Sequence, residues 1–106
     1  MSREIIHIPK KLEQFKTAIE DIIPFDKNPR KHSEKGIKAL MDSMRLDGFV
    51  MPITVNQDNV IIAGHGRRLA ALELKMTHVP VISIHVTDEE FKRLVISDNK
   101  LSLIHI

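Results

Sequence analysis

Apolar positions along this chain switch between two periods, and each switch marks an element. After Ser33, Ile37, Leu40, Met41 and Met44 recur at i, i+3, i+4 and i+7, one stripe of a helix. Ser33 supplies an oxygen for the free N–H groups at its start, and Gly48 supplies the stop. Residues 52–55 and 60–63 are β-branched runs around the polar turn 56–59, which predicts a hairpin. Gly64-His65-Gly66 breaks the second strand, and residues 67–74 are rich in helix formers. Residues 79–86 read as a strand, with Pro80 placing its start at an edge or an end. Thr87 and Glu90 have the spacing of a capping box and open a third helix, with Phe91, Leu94, Val95 and Asp98 along one side.

Upstream the signals are weaker. Residues 16–19 read as extended and 21–25 as a turn. Residues 26–32 read as loop, because Pro29 pushes Asn28 out of the helical region. Residues 1–14 are polar and interrupted by Pro9, the pattern of a loosely held N-terminal segment ahead of a domain over 15–106. The predicted order is β-α-β-β-α-β-α, a compact α/β (α+β) domain with a small mixed sheet.

Composition narrows the function classes. A chain of 106 residues with 42% hydrophobic and 28% charged positions suits one folded domain. No run approaches the ~18 apolar residues of a membrane span, and the N-terminus lacks the apolar core of a secretory leader, so a cytoplasmic location is expected. With no cysteine, disulfides, thiolate metal sites and thiol catalysis are excluded. The absence of Trp and Tyr, beside four Phe, argues against an aromatic platform for stacking bases. The six histidines show no i, i+3 or i, i+4 pairing, so no metal site is expected. Net charge is only +2, but Lys27, Arg30, Lys31, Lys35 and Lys38 gather around His32. Such a stretch serves phosphate contacts or is simply a solvated face.

The most informative stretch is 60–71. An apolar strand runs into Gly64-His65-Gly66 and straight into a helix that carries Arg67 and Arg68 in its first turn. The first N–H groups of a helix lack internal partners, and its dipole is positive there. Glycines admit an anion to the backbone, and arginine adds a fork that fits phosphate. The alternative is a tight strand-to-helix turn with both arginines in water. Two cations at a helix N-terminus are unfavourable without an anion, which supports the cradle. It is neither a Walker A loop nor a six-residue dinucleotide turn. His65, inside the cradle, either donates to phosphate and serves in acid–base chemistry or fixes the turn.

Ile-Pro-Phe at 23–25, Asn-Pro-Arg-Lys-His-Ser at 28–33, Ala-Gly-His-Gly-Arg at 63–67 and Asp-Asn-Lys-Leu at 98–101 together resemble the ParB N-terminal domain family. That family shares its fold with sulfiredoxin. The pattern is most similar to the variant at the N-terminus of phage and prophage DNA-modification methyltransferases, and it covers about residues 16–103. In chromosome-partition members a Gly-Glu-Arg-Arg motif cradles the triphosphate of CTP, and a later Glu-Asn-x-x-Arg motif contributes magnesium and phosphate contacts. Gly64 matches that glycine and Arg67 the second arginine; His65 replaces Glu, and Gly66 replaces the first arginine. Asp98-Asn99 resembles Glu-Asn, with Ser102 at the arginine place. Arg68 and Arg30 are the side chains available to compensate.

The resemblance thus implies a binding module for nucleotide or nucleic-acid phosphate in DNA binding, partition or DNA modification. Its site residues are Gly64, His65, Gly66, Arg67, Arg68, Arg30 and Asn99, and the implied cofactor is magnesium with a nucleoside triphosphate, CTP or ATP. The alternative is a small phosphoryl-transfer or phosphodiester-cleaving enzyme, a nucleotidase, nuclease or kinase-like protein, with His65 or Asp98 in acid–base roles. The sulfiredoxin catalytic Cys falls at His65, so sulfiredoxin activity is excluded; nothing resembles a methyltransferase catalytic loop. Relatives continue into a helix-turn-helix or a methyltransferase where the apolar residues 101–106 close this sequence. A partner domain of either kind, or a homodimer, is the expectation that follows.

Overall fold

The computed structural model describes residues 5–25 and 32–104, with 98–104 as backbone alone. Strands β1 (Lys16–Ala18), β2 (Ile53–Val55), β3 (Ile61–Ala63) and β4 (His78–Ser83) alternate with helices α1 (Glu34–Asp47), α2 (His65–Glu73) and α3 (Asp88–Ile104) in the predicted order. The four strands form one mixed sheet in the order β1-β4-β2-β3. β4 runs antiparallel to β1 and parallel to β2, and β2 and β3 form the antiparallel hairpin. The hairpin turn is held by Asn56, whose Oδ1 accepts the N–H groups of Asp58 and Val60, each at 2.9 Å.

Alternation along β3 separates two apolar layers. Ile61 belongs with Ile53, Val55, Val79 and the α2 residues Ala70, Ala71 and Leu74. Its neighbour Ile62 belongs with Val86, Phe91 and Val95. Successive strand residues face opposite ways, so α1 and α2 cover one face and α3 the other. The two alanines, fully buried, let α2 lie close to the sheet. Among the described side chains of α3, Phe91 and Val95 are buried while Leu94, expected on the same side, is 38% exposed.

The caps follow their sequence signals. Ser33 Oγ accepts the Gly36 N–H at 3.0 Å, and Ser33→Ala should cost about 1 kcal/mol, read as a lower urea midpoint at unchanged slope. Thr87 and Glu90 close the capping box reciprocally, at 2.9 and 3.2 Å, and these bonds hold the exposed Glu90 carboxyl below its ordinary value.

Several details differ from the sequence reading. Residues 10–15 form a 3-10 helix with Leu12 buried, and Ile6 and Ile8 pack on the main core, where a loosely held segment was expected. His7 O accepts the Phe49 N–H at 2.7 Å, and this close approach, with φ 86° at Gly48, leaves no space for a side chain there. Ile23, expected in a turn, pairs with Val60 beside β3: Ile23 N–H donates to Asn59 O and Ile61 N–H to Ile23 O, both at 2.8 Å. β4 ends at Ser83 rather than 86, because the Gln57 side-chain amide takes both the N–H and the C=O of Val86, each at 3.0 Å. Pro80 lies within an inner strand, at the point where β1 pairing ends and β2 pairing begins.

Candidate functional site

The chain leaves β3 at Ala63 and must become helical within one residue. Gly64 makes that turn with φ 108° and ψ 19°, a conformation that side chains oppose. A Cβ on it would stand 3.0 Å from Ile53 Cγ1 and 3.2 Å from Ile53 Cα. The sharpness of the turn starts α2 at His65 rather than at Arg67. Gly66 serves differently. Its φ is not positive, and the space its missing Cβ leaves is taken by the His32 ring and Leu40, each at 3.0 Å. Gly66 thus lets the His32 ring and Leu40 of α1 close on α2.

The N-terminus of α2 carries His65, the buried polar residue among the described ones. Its first internal bond runs from the Arg68 N–H to Gly64 O at 3.0 Å, which leaves the N–H groups of 65–67 ahead of the helical ladder. Side chains of Ser33 and Thr87 cap α1 and α3, whereas the N-cap of α2 is Gly64, which has no side chain to cap with. His65 and Gly66 there are buried, so water cannot fully replace a cap.

Both arginines stand at this end. Arg67 Nη2 donates to Pro52 O at 3.2 Å, which anchors the guanidinium along the entry to β2. Arg68 Nε is buried with no hydrogen-bond acceptor among the described residues. A buried guanidinium donor of this kind needs an oxygen to complete it.

His65 is only 9% exposed, and its Nε2 accepts the Phe25 N–H at 3.1 Å. Its pKa is lowered from 6.5 to about 4, first by burial, then by His32 and Arg68. The ring is therefore neutral at physiological pH, with the proton on Nδ1 and Nε2 engaged by the backbone.

Of the residues singled out in the sequence, the structure gathers Gly64, His65, Gly66, Arg67 and Arg68 at one helix end. Arg30 lies outside the described residues, and α3 carries Asp98 and Asn99 one turn beyond Val95, with their side chains likewise outside. The chain on either side of Arg30 returns to α2: Phe25 meets His65, and the His32 ring meets Gly66. Phe25 and His32 were not singled out as partners of the cradle. Their signal was their place in the Ile-Pro-Phe and Asn-Pro-Arg-Lys-His-Ser motifs, which carried no contact information. Among the described residues no group of three or more His, Asp or Glu stands ready for a metal ion, and no helix is long and apolar enough to cross a membrane.

Comparison with known proteins agrees with this architecture. The ParB N-terminal domain model matches residues 9–100. The ParB-like nuclease domain-containing protein YnaK of Escherichia coli K12 is 36% identical over 85 residues, covering 79% of this chain and 98% of YnaK. The C-terminally truncated chromosome-partitioning protein ParB of Caulobacter crescentus, complexed with CTP-gamma-S, superposes with a TM-score of 0.71 at 25% identity, over 79% of this chain. This chain spans about half, 51%, of that one. The same Caulobacter protein complexed to the centromeric parS site gives a TM-score of 0.66 at 24% identity, over 79% of this chain and 46% of that one. Sulfiredoxin of Arabidopsis thaliana gives 0.62 at 23% identity over 76% of this chain and 93% of that one, a likeness of fold.

Proposed function

This chain belongs to the ParB N-terminal domain family, and we propose that it binds the phosphates of a nucleoside triphosphate at the N-terminus of α2. One observation carries this reading. The buried start of α2 has a glycine at its N-cap, and beside it Arg68 Nε is buried without an acceptor among the described residues. N–H groups ahead of the helical ladder, a positive helix end and a guanidinium fork converge on what a phosphate offers: several strong acceptor oxygens and negative charge. The CTP-gamma-S complex of the Caulobacter relative makes CTP the first nucleotide to try, with ATP beside it.

Arg67 and Arg68 are the proposed ligand-facing cations. Arg30 joins them in the proposal because the chain on both sides of it is held against α2. Magnesium comes with the nucleotide, held mainly by phosphate oxygens and water, as suits a hard ion that needs few protein ligands. Asp98 and Asn99 on α3 are the residues proposed to meet it.

A binding role is favoured over catalysis because the neutral His65 has its Nε2 engaged by the backbone and so lacks the free nitrogen of a general base. Nuclease or nucleotidase activity stays as the competing reading, tested by release of phosphate or of labelled nucleotide from magnesium-loaded protein. Phosphate release that Asp98→Ala abolishes would replace the binding reading.

DNA backbone is a second reading, supported by Lys35 and Lys38, both exposed on α1. If it holds, affinity for a short duplex falls steeply between low and moderate salt, and Lys35→Ala with Lys38→Ala flattens that slope. Roles in partition or in DNA modification, and a methyltransferase, helix-turn-helix or second copy as partner, belong to the proposal on the strength of family resemblance alone.

A further inference from the structure

We propose that His65 is a positioning residue: its Nε2 holds the main chain at Phe25, and this tie fixes α2 against α3 instead of touching the ligand. The geometry has three connected parts. Phe25 N–H donates to His65 Nε2 at 3.1 Å. The Phe25 ring stands edge-on to Phe91 of α3, with centroids 5.0 Å apart and planes at 83°. Phe25 also packs with Ile62, Val86 and Val95, the apolar layer beneath α3. One residue therefore bonds to the start of α2 through its backbone and packs on α3 through its ring.

The tie works only with a neutral ring. Imidazolium carries a proton on both nitrogens and has no lone pair to offer the Phe25 N–H. The surroundings keep the ring neutral. Among the described residues the titratable and charged groups that face it are His32, at the head of α1, and Arg68, on α2 itself. Both oppose a further positive charge. Because the folded value, about 4, is below the unfolded 6.5, the unfolded chain takes the proton first. The stabilisation is complete above about pH 6.5 and is lost as pH falls through about 4.

This assignment deepens the nucleotide reading and rests on it only for its ligand arm. The test uses the isotope-labelled full chain, with His65→Ala and His65→Gln beside it. Glutamine offers an acceptor oxygen near the Nε2 position and does not titrate. In the wild type at pH 7, imidazole nitrogen shifts should show Nε2 without a proton. The Phe25 amide should exchange about fivefold faster in His65→Ala, the net worth of one hydrogen bond. His65→Gln should restore its protection and keep it down to pH 4, where the wild type loses it. A protonated Nε2 at pH 7, or Phe25 exchange that is the same in all three proteins, overturns the proposal. If His65→Ala does not fold, the wild-type titration against His65→Gln decides alone.

CTP with magnesium supplies the second arm. A positioning role predicts that affinity lost in His65→Ala returns in His65→Gln. Equal loss in both variants makes His65 a ligand contact and overturns the proposal. If the wild type binds no CTP, the nucleotide reading fails while the exchange data still judge the tie.

Discussion

Gly64→Ala is expected to cost about 2–6 kcal/mol, a large fraction of the stability of a domain this size. Two effects add. Gly64 holds φ 108° and ψ 19°, where a side chain is strained by about 1–3 kcal/mol. The new Cβ would also press on Ile53, at 3.0 Å from Cγ1 and 3.2 Å from Cα. Ile53 is fully buried in β2, and forcing an extra carbon into such a packed site costs about 1–3 kcal/mol more. The measurement is the urea midpoint of variant against wild type at a common slope. A loss below about 1 kcal/mol would mean that the turn relaxes and that Gly64 does not set the start of α2. The same substitution at Gly66 should be milder, because its neighbours, the His32 ring and the end of Leu40, are side chains that can shift.

The second large effect concerns the ligand. Arg68→Ala should weaken nucleoside triphosphate binding about 10- to 150-fold, equivalent to about 1.5–3 kcal/mol for hydrogen bonds to a charged group. Folding stability should hardly change, because Arg68 Nε has no acceptor among the described residues to lose. Arg67→Ala should behave differently. It loses the bond to Pro52 O as well as the proposed phosphate contact, so stability drops by about 1 kcal/mol along with affinity. Thermal melts beside the titrations separate the two. Matching stability losses with unchanged affinity in both variants would make the arginines structural.

Periodicity was enough for the elements whose stabilising contacts are local. The stripe from Ile37 to Met44, the Ser33 cap, the Asn56 turn and the Thr87–Glu90 box each lie within a few residues, and the structure shows them as expected. What periodicity missed depends on distant parts of the chain. Ile23 pairs with Val60, His7 O takes the Phe49 N–H, and Gln57 captures Val86; none of these partners is adjacent in sequence. Pro80 suggested a sheet margin, and the margin is real but internal, a change of partner within β4.

The cradle shows the same division. The turn at Gly64, with a helix carrying both arginines after it, was legible because a strand, a glycine and helix formers follow one another directly. The contacts of His65 and Gly66 were not, since each is made with a residue more than thirty positions away, Phe25 and His32. For His65 the motif alone allowed a phosphate donor, an acid–base group or a turn-fixing side chain. Its burial and its bond to the Phe25 N–H favour the last.

The central claim is that the start of α2 is a phosphate site, and calorimetric titration of the purified chain with CTP and magnesium tests it most directly. ATP, GTP and a short DNA duplex serve as comparison ligands, and Arg68→Ala is run beside the wild type. Saturable binding of a nucleoside triphosphate is expected, weakened about 10- to 150-fold in Arg68→Ala with the fold intact. Equal affinity in the two proteins, or no heat with any nucleotide or duplex, would contradict it.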